Sequence, residues 1–384
     1  MLHVPSIAEL TPPELMTTLE RGEPVQILDI RAPHRVAQSR IDVAPAEHFH
    51  NIVGSQLIRV RSPREIALHP DLPVAVVCGH GNDSKIAAAF LSHLGYSARS
   101  LQGGMAAWMA GVLPRELPAP GSLQRIVQFD RFAKGALGYV LISDGEALVI
   151  DPPRDVRPLL TAVEEAGARV VGIADTHCHA DYLSGGPALA AALTVPYYLH
   201  PADAVYPYDG TAARIDFAPL AHGQTIAAGS SVVRVVHTPG HTEGSVTLVA
   251  DERAAFTGDF LFVHSVGRPD LAGMSEGWTG QLWSSLEAAR RDWPVDYVVY
   301  PAHYAAEAER NDDRTIGRAL ADLREVNEPF GIASEQAFRD WVAARSGTFP
   351  DAYRTIKAVN LGLQQADAAR AEELEVGRNE CALR

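Results

Sequence analysis

The sequence has little cysteine, no long apolar run and a deficit of positive charge. Its three cysteines among 384 residues, Cys78, Cys178 and Cys381, are too few and too scattered for a disulfide framework. No stretch approaches the roughly 20 apolar residues of a membrane span, so we expect no membrane partner. The formal net charge is −14, from 33 Lys and Arg against 47 Asp and Glu. That acidity argues against a nucleic-acid partner, because such partners need a basic surface.

Residues 1–15 have no basic start followed by an apolar core, so the sequence predicts no signal peptide. Together with the scarcity of cysteine, this predicts a cytoplasmic protein. The length exceeds the about 100–200 residues of one domain, which predicts two domains. Three prolines and a glycine in residues 114–122 favour an extended linker. We therefore predict domains at 1–117 and 118–384.

Short apolar strands alternate with helices in the first block. The strands lie at 25–30, 73–78 and 97–101, and the helices lie at 84–94 and from 103 onwards. This alternation predicts a parallel sheet with helices on both faces.

Cys78 ends the second of these strands and opens the glycine-rich loop 78–83, and a helix begins near Ser84. Backbone N–H groups of such a loop and the positive end of the helix would stabilise a thiolate. A thiolate can accept a sulfur atom and hold it as a persulfide. The alternative is a buried, inert cysteine.

Residues 8–116 resemble a rhodanese (sulfurtransferase) domain. The resemblance rests on the strand ending at 29–31, the Cys78 loop, and the stretch 84–96 that leads to LeuGlnGlyGlyMetAlaAlaTrp. It implies that Cys78 is the catalytic residue of sulfur transfer. The family has Arg at the position of Asp83, whose carboxylate would repel thiosulfate. A non-catalytic persulfide carrier or docking module is therefore an alternative role for this domain.

The second block opens with strands at 139–142 and 147–150 around Asp144-Gly145, which is a strong hairpin signal. Further strands and helices predict sheets sandwiched between helices, and residues 314–375 look mostly helical. The further strands are 170–175, 232–237, 245–250 and 297–300, and the helices are near 156–166, 186–193 and 279–291.

Histidine and aspartate residues follow four of these strands. They are His177, His179 and Asp181, then His241, then Asp259, and finally His303. Such groups at strand ends can meet at one edge of a sandwich, where imidazole and carboxylate suit a first-row metal. Alternation along an extended segment points Cys178 away from its two histidine neighbours, so we interpret Cys178 as core packing.

Residues 123–305 resemble the metallo-β-lactamase fold through these motifs. The expected fold class is thus an α/β rhodanese domain followed by an αββα sandwich with a helical C-terminal extension. The family motif His-x-His-x-Asp-His ends here in Tyr182. Two-metal hydrolases of this fold, such as glyoxalase II, use that last His for the second metal. A phenol with a pKa of about 10 is a poor replacement for imidazole, which favours one metal.

Within that fold the chain is most similar to persulfide dioxygenases, including those fused to rhodanese domains. The similarity rests on Tyr182 and on the stretches 267–271 and 349–360. It implies one Fe(II) per chain held by His177, His241 and Asp259, with coordination positions open for O₂ and a substrate sulfur. The implied reaction oxidises a thiol persulfide, usually glutathione persulfide, to sulfite and free thiol.

The other site residues have weaker assignments. His179, Asp181 and His303 would orient the ligands or serve as alternative ligands. Arg268 would bind a substrate carboxylate, with an ion pair to Asp270 as the alternative.

Tyr182 and Tyr304 would line the substrate pocket. The alternative activity for the whole site is a zinc hydroxyacylglutathione (glyoxalase II-type) thioester hydrolase. The sequence leaves open the identity of the carrier thiol and whether the chain forms a homo-oligomer.

Overall fold

A five-stranded, all-parallel sheet forms early in the chain. The computed structural model describes residues 8–271, 273 and 275–383; residues 1–7, on which the expectation of no signal peptide partly rests, lie outside this range. The strands are β1 Glu9–Leu10, β2 Gln26–Asp29, β3 Phe49–Asn51, β4 Val74–Val77 and β5 Ala98–Leu101, in the order β1-β5-β4-β2-β3. The helices are α1 Pro12–Glu20, α2 Pro33–Gln38, α3 Gly54–Leu57, α4 Asp83–His93 and α5 Gly104–Ala110.

Helices cover both faces of this sheet. Ile27 of β2 belongs to a core with Trp108 of α5, whereas its neighbour Leu28 belongs to a core with Leu91 of α4. Successive side chains of a strand point to opposite faces, so the two cores lie on opposite sides of the sheet. The predicted parallel sheet with two-sided helix cover is confirmed.

Two further sheets share one apolar core. The first has the order β12-β11-β10-β9-β8-β7-β6 and the second the order β13-β14-β15-β16-β17-β18, with Leu148 and Leu248 among the shared core residues. The strands of the first are β6 Leu113–Leu117, β7 Arg125–Arg131, β8 Ala136–Ser143, β9 Glu146–Ile150, β10 Arg169–Ala174, β11 Tyr197–Leu199 and β12 Ala218–Pro219. Those of the second are β13 Thr225–Ala228, β14 Ser231–His237, β15 Val246–Ala250, β16 Ala254–Gly258, β17 Val298–Pro301 and β18 Arg318–Ala319.

Helices flank these sheets, as the αββα expectation requires, and further helices follow as far as Leu374. They are α6 Arg157–Glu165, α7 Gly186–Leu193, α8 Ser275–Asp292, α9 Leu320–Val326, α10 Glu328–Gly331, α11 Glu335–Arg345, α12 Ala352–Asn360 and α13 Ala368–Leu374. No helix of the described ranges is long and apolar enough to cross a membrane.

The predicted hairpin forms with Ser143 opposite Glu146. Asp144 and Gly145 both have positive φ, at +47° and +74°, as a two-residue type I′ turn requires. This turn chemistry is local, which is why the sequence alone identifies it.

The segment predicted as a linker is partly a strand. Leu113–Leu117 forms β6 at the edge of the seven-stranded sheet, next to β7. Proline is tolerated there because an edge strand has one row of N–H groups without a strand partner. The chain divides into two compact units, 1–113 with 131–134 and 376–378, and 114–130 with 135–375 and 379–384. The short segments 131–134 and 376–378 belong to the first unit, and no sequence pattern predicts this.

Candidate metal centre

Strand ends position the histidine and aspartate residues of the second unit. β10 ends at Ala174 before the His177 loop, β14 ends at His237 before His241, and β16 ends at Gly258 before Asp259. The ligand candidates are almost completely buried, with exposed fractions of 0–1%. Burial of this many polar groups requires partners or a bound ion, since an unpaired buried polar group is costly.

His177, His241 and Asp259 come together, as predicted from the motifs. Each offers one ligand atom, and the three atoms lie within 4.8 Å of one another. Nε2 of His177 and Nε2 of His241 lie 3.6 Å and 3.5 Å from Oδ2 of Asp259. None of these three buried atoms has a hydrogen-bond partner among the described residues. Two imidazoles and one carboxylate with converging, unpartnered atoms are a donor set that fits a divalent metal.

The second atom of each candidate ligand is held by the protein. Nδ1 of His177 lies 3.0 Å from the Thr176 hydroxyl, and Nδ1 of His241 lies 2.9 Å from the Arg268 carbonyl. Oδ1 of Asp259 lies 2.6 Å from Nδ1 of His303. Such partners fix the orientation of metal ligands.

A glycine permits the close approach of two of these loops. Gly258 precedes Asp259 and has φ +54°, and a Cβ there would lie 2.4 Å from Oγ1 of Thr176. The Gly-Asp pair of the motif is therefore required by geometry as well as by chemistry.

The protonation states suit metal binding. Burial, and then the neighbouring His179 and His241, hold the pKa of His177 well below its ordinary value. Burial also lowers the pKa of His241. Burial alone would raise the pKa of Asp259, but His303 and His241 outweigh it and lower this pKa. Neutral imidazoles and an ionised carboxylate are the forms that bind a metal.

His179 lies beside this group but outside it. Its Nε2 lies 3.1 Å from Oδ1 of Asp151 and 2.9 Å from the Tyr182 hydroxyl, and the His179 and Tyr182 rings stack at 4.3 Å. Tyr182 is thus buried against His179. Asp151 also accepts a 2.7 Å bond from the Thr176 N–H, so one carboxylate organises this part of the loop.

His303 links two carboxylates. Its Nδ1 bonds Asp259, and its Nε2 lies 2.9 Å from Oδ2 of Asp181. Burial alone would lower the pKa of His303, but the two carboxylates outweigh it and raise this pKa to about 10. Asp181, His303 and Cys381 form a second group whose ligand atoms lie within 4.8 Å of one another. Cys381 is completely buried beside this group, and no sequence pattern around it indicates that placement.

Arg268 does not have the free guanidinium that substrate binding needs. Nε and Nη2 bond the two oxygens of Asp270 at 2.6 Å and 2.8 Å. The other N–H groups point to the carbonyls of Gly347, Thr348 and Glu380. Its five donors therefore all have acceptors. The ion pair with Asp270, given above as the alternative, is what forms.

Tyr304 is buried in contact with charged side chains. Its hydroxyl donates to Oδ1 of Asp130 at 3.0 Å and contacts the guanidinium of Arg310, which lies over the ring. Tyr304 is therefore part of a buried ionic cluster, and its place in a substrate pocket stays a prediction.

Helix α12 holds the loop that carries His177 and His179. Lys357 Nζ donates to the Cys178 carbonyl at 2.8 Å, and the Asn360 amide donates to the carbonyls of His179 and Tyr182 at 2.9 Å each. Lys357 and Asn360 are three apart on α12, so they share one helix face. This explains the stretch 349–360 that contributed to the family resemblance.

Cys178 lies in the wall of a cavity of about 250 Å³ together with Asp203, Thr242 and Lys357. Burial raises the pKa of the Cys178 thiol to about 12. The residue is buried, in keeping with core packing, and its thiol stays protonated at neutral pH.

The Cys78 site lies in the first unit. The Gly81 N–H donates to Sγ at 3.1 Å, and the thiol donates to the Ser84 hydroxyl at 3.3 Å, which in turn lies 2.9 Å from the Ser100 hydroxyl. The helix after the loop begins at Asp83, one residue before the predicted start. Cys78 is 4% exposed.

A glycine lets this loop pack against α5. The Met105 N–H donates to the Cys78 carbonyl at 2.8 Å, and a Cβ on Gly104 would lie 2.5 Å from that oxygen. The second glycine of LeuGlnGlyGlyMetAlaAlaTrp is therefore needed for the helix to pack against the Cys78 loop.

Known proteins match both units. The metallo-beta-lactamase superfamily model matches residues 135–303, and the rhodanese-like domain model matches residues 11–111. A hydroxyacylglutathione hydrolase of Acidiphilium cryptum is 38% identical over 218 residues, covering 54% of this chain and 85% of that protein. The human mitochondrial persulfide dioxygenase is 31% identical over 164 residues, covering 41% of this chain and 59% of that protein.

A solved metallo-beta-lactamase structure from Staphylococcus aureus is 26% identical, with a TM-score of 0.56, and covers 64% of this chain and 74% of that chain. Sequence and fold thus agree on the metallo-beta-lactamase part of the chain. The chain belongs to the metallo-beta-lactamase superfamily and combines a domain of that family with a rhodanese-like domain.

Proposed function

We propose that the metallo-beta-lactamase domain is an Fe(II)-dependent persulfide dioxygenase with one metal per chain. One thiol persulfide, one O₂ and one water would give one thiol, one sulfite and two protons. The observation that carries the proposal is the donor set of His177, His241 and Asp259. Two imidazoles and one carboxylate with open positions are typical of non-haem Fe(II) oxygenases. Bound Fe(II) would supply the redox chemistry between O₂ and the substrate sulfur.

The protein residues would position and shield this reaction. Thr176 and the Arg268 carbonyl orient the two histidines, and His303 orients Asp259. The near-complete burial of the ligands excludes bulk water from the centre. Glutathione persulfide is the substrate that we propose, on the similarity to persulfide dioxygenases.

A zinc thioester hydrolase of the hydroxyacylglutathione type is the second candidate. The relative from Acidiphilium cryptum favours it, because the match covers most of that protein. Hydrolases of this type use two metals. One feature favours a single metal here: Tyr182 replaces a histidine of the family motif, and its hydroxyl bonds His179.

For the rhodanese-like domain we propose transfer or carriage of sulfane sulfur by Cys78. The Cys78 thiolate would attack the outer sulfur of a donor persulfide, form a Cys78 persulfide and release the donor thiolate. Asp83 at the first position of α4 disfavours thiosulfate as donor, because two negative charges would meet at the loop. A carrier without turnover is the alternative for this domain.

The test compares both activities on one preparation. The protein is loaded anaerobically with Fe(II) or with Zn(II), and O₂ uptake with glutathione persulfide and hydrolysis of a glutathione thioester are measured for each form. We expect O₂ uptake and sulfite from the iron form and no thioester hydrolysis from either. Thioester hydrolysis by a two-zinc form without O₂ uptake by the iron form would favour the hydrolase instead.

A further inference from the structure

Asp203 lies between the two loops that carry the histidine ligands. It is on the short turn Pro201–Ala204 after β11 and is 5% exposed. Its Oδ2 accepts bonds from the Cys178 N–H and from the Thr242 hydroxyl, both at 2.7 Å. Its Oδ1 accepts a 2.7 Å bond from the Gly244 N–H.

Two of these partners are direct chain neighbours of a ligand. Cys178 follows His177, and Thr242 follows His241. One carboxylate oxygen therefore connects the two histidine loops. Bonds from neutral donors to a buried carboxylate are charge-assisted and strong, and leaving such a group unsatisfied is costly.

The close approach of Asp203 requires a glycine at position 244. A Cβ there would lie 2.6 Å from the Asp203 nitrogen and 2.7 Å from its Cγ, so any other residue would push the turn away.

A cation holds the other side of the Cys178 residue. Lys357 is 2% exposed, and its ammonium donates to the Cys178 carbonyl, whereas Asp203 accepts from the Cys178 N–H. The backbone between His177 and His179 is thus held by charged side chains of opposite sign.

We propose that Asp203 is a positioning residue that sets the spacing of the His177 and His241 loops and thereby the affinity of the metal centre. This rests on the metal centre of the proposed function but not on the reaction catalysed there. Asp203 touches neither histidine ring, so it acts through the Cys178 and Thr242 contacts. Removal of partners that orient ligands weakens metal binding by about 10–100-fold in known sites.

Asp203→Asn tests the proposal, because it keeps the shape but turns an N–H group toward the N–H and O–H donors. The dissociation constant for Co(II) and for Fe(II) is measured by competition with a chelator, together with the visible spectrum of the Co(II) form. We expect affinity to fall about 10–100-fold and the Co(II) bands to shift.

Asp251→Asn is the matched control. Asp251 also connects two loops of the same unit, accepting bonds from the N–H groups of Ser122, Leu123 and Val232 at 2.7–3.2 Å. It lies beyond the far end of β15, roughly 17 Å along the strand from the Thr242 loop. We expect the Asp251→Asn protein to be less stable than the wild type but to bind metal within a few-fold of the wild-type affinity. Equal loss of affinity in both variants, or unchanged affinity in Asp203→Asn, would overturn the proposal.

Two variants of Thr242 test the proposal with a smaller change if the Asp203→Asn protein does not fold. Thr242→Val removes one donor to Asp203, and Thr242→Ser keeps that hydroxyl. We expect weaker metal binding in the valine variant and near wild-type binding in the serine variant; equal binding by the two contradicts the proposal. Metal affinity is measured without persulfide or O₂, so a protein that binds metal but oxidises no persulfide would refute the proposed function alone.

Discussion

Asp259 and His303 form a 2.6 Å contact between Oδ1 and Nδ1, while Oδ2 of the same carboxylate faces the two histidine ligands. The Asp259 oxygen that would face a metal is therefore fixed through the other oxygen of the same carboxylate. His303 is in turn held by Asp181 at 2.9 Å. This chain of contacts places His303 beside the candidate metal centre, with its two nitrogens between the carboxylates of Asp259 and Asp181.

We predict that His303→Ala weakens metal binding by about 10–100-fold, because the Asp259 carboxylate loses its orientation. A competition titration of the metal-free protein with a chelator measures this. His222→Ala, which removes an exposed histidine of the same unit, is the control and should bind metal normally. Unchanged affinity in His303→Ala would show that Asp259 needs no such support.

Tyr182→Phe removes the hydroxyl that contacts His179 and the Asp151 carbonyl, but leaves the bond between the Asp151 carboxylate and the His179 ring. We predict a loss of about 0.5–1.5 kcal/mol in the free energy of unfolding, the net worth of one hydrogen bond. Urea unfolding measures the stability, and elemental analysis should still find one metal per chain. Binding of a second metal by this variant would mean that the phenol had been blocking a competent site.

Asn360→Ala removes two bonds to the carbonyls of His179 and Tyr182 and a third from the Ser184 N–H. Each group left unsatisfied costs about 1–3 kcal/mol, so we predict a clear loss of stability together with weaker metal binding. Asn311→Ala is the control, since this amide bonds Thr315 and Gly317 away from the metal-site loop. Normal metal binding by the Asn360→Ala protein would show that α12 stabilises the fold without affecting the affinity for metal.

Cys78→Ser should abolish the persulfide adduct on the rhodanese-like domain and leave oxidation of added glutathione persulfide unchanged. Mass spectrometry after exposure to the persulfide detects the added sulfur, and O₂ uptake reports the metal centre. Absence of an adduct on the wild-type protein would make Cys78 a structural residue. Sulfur transfer to cyanide by the wild type but not by the variant would distinguish a sulfurtransferase from a carrier.

The convergence of the candidate ligands could be predicted from the sequence, because each of them follows a local pattern. An apolar strand precedes each of His177, His241 and Asp259, and the three strands end at the same edge of the sandwich. The positions of strands follow from local hydrophobic patterns, so this edge can be inferred without knowledge of tertiary contacts. The hairpin at Asp144-Gly145 and the alternation of strands and helices in the first block also depend on neighbouring residues, so they too could be predicted from the sequence.

The partners of these ligands could not be predicted, because they come from distant parts of the chain. Lys357 and Asn360 contact residues about 180 positions away, and Cys381 reaches the Asp181 group from the C-terminal segment. The acceptors around the Arg268 guanidinium could not be predicted for the same reason, because two of its carbonyl partners lie about 80 and 112 residues further along the chain. The one sequence feature that indicates a common role for Lys357 and Asn360 is their separation of three residues, which places both side chains on one face of a helix.

The most direct test of one iron in this centre is a titration of the metal-free protein with Fe(II) under anaerobic conditions. After each addition, O₂ uptake with glutathione persulfide is measured on the wild type and on His177→Ala. We predict that the rate rises in proportion to iron, saturates at one iron per chain, and stays at background in the variant. Saturation only at two metals per chain, or no O₂ uptake at any ratio, would contradict the account.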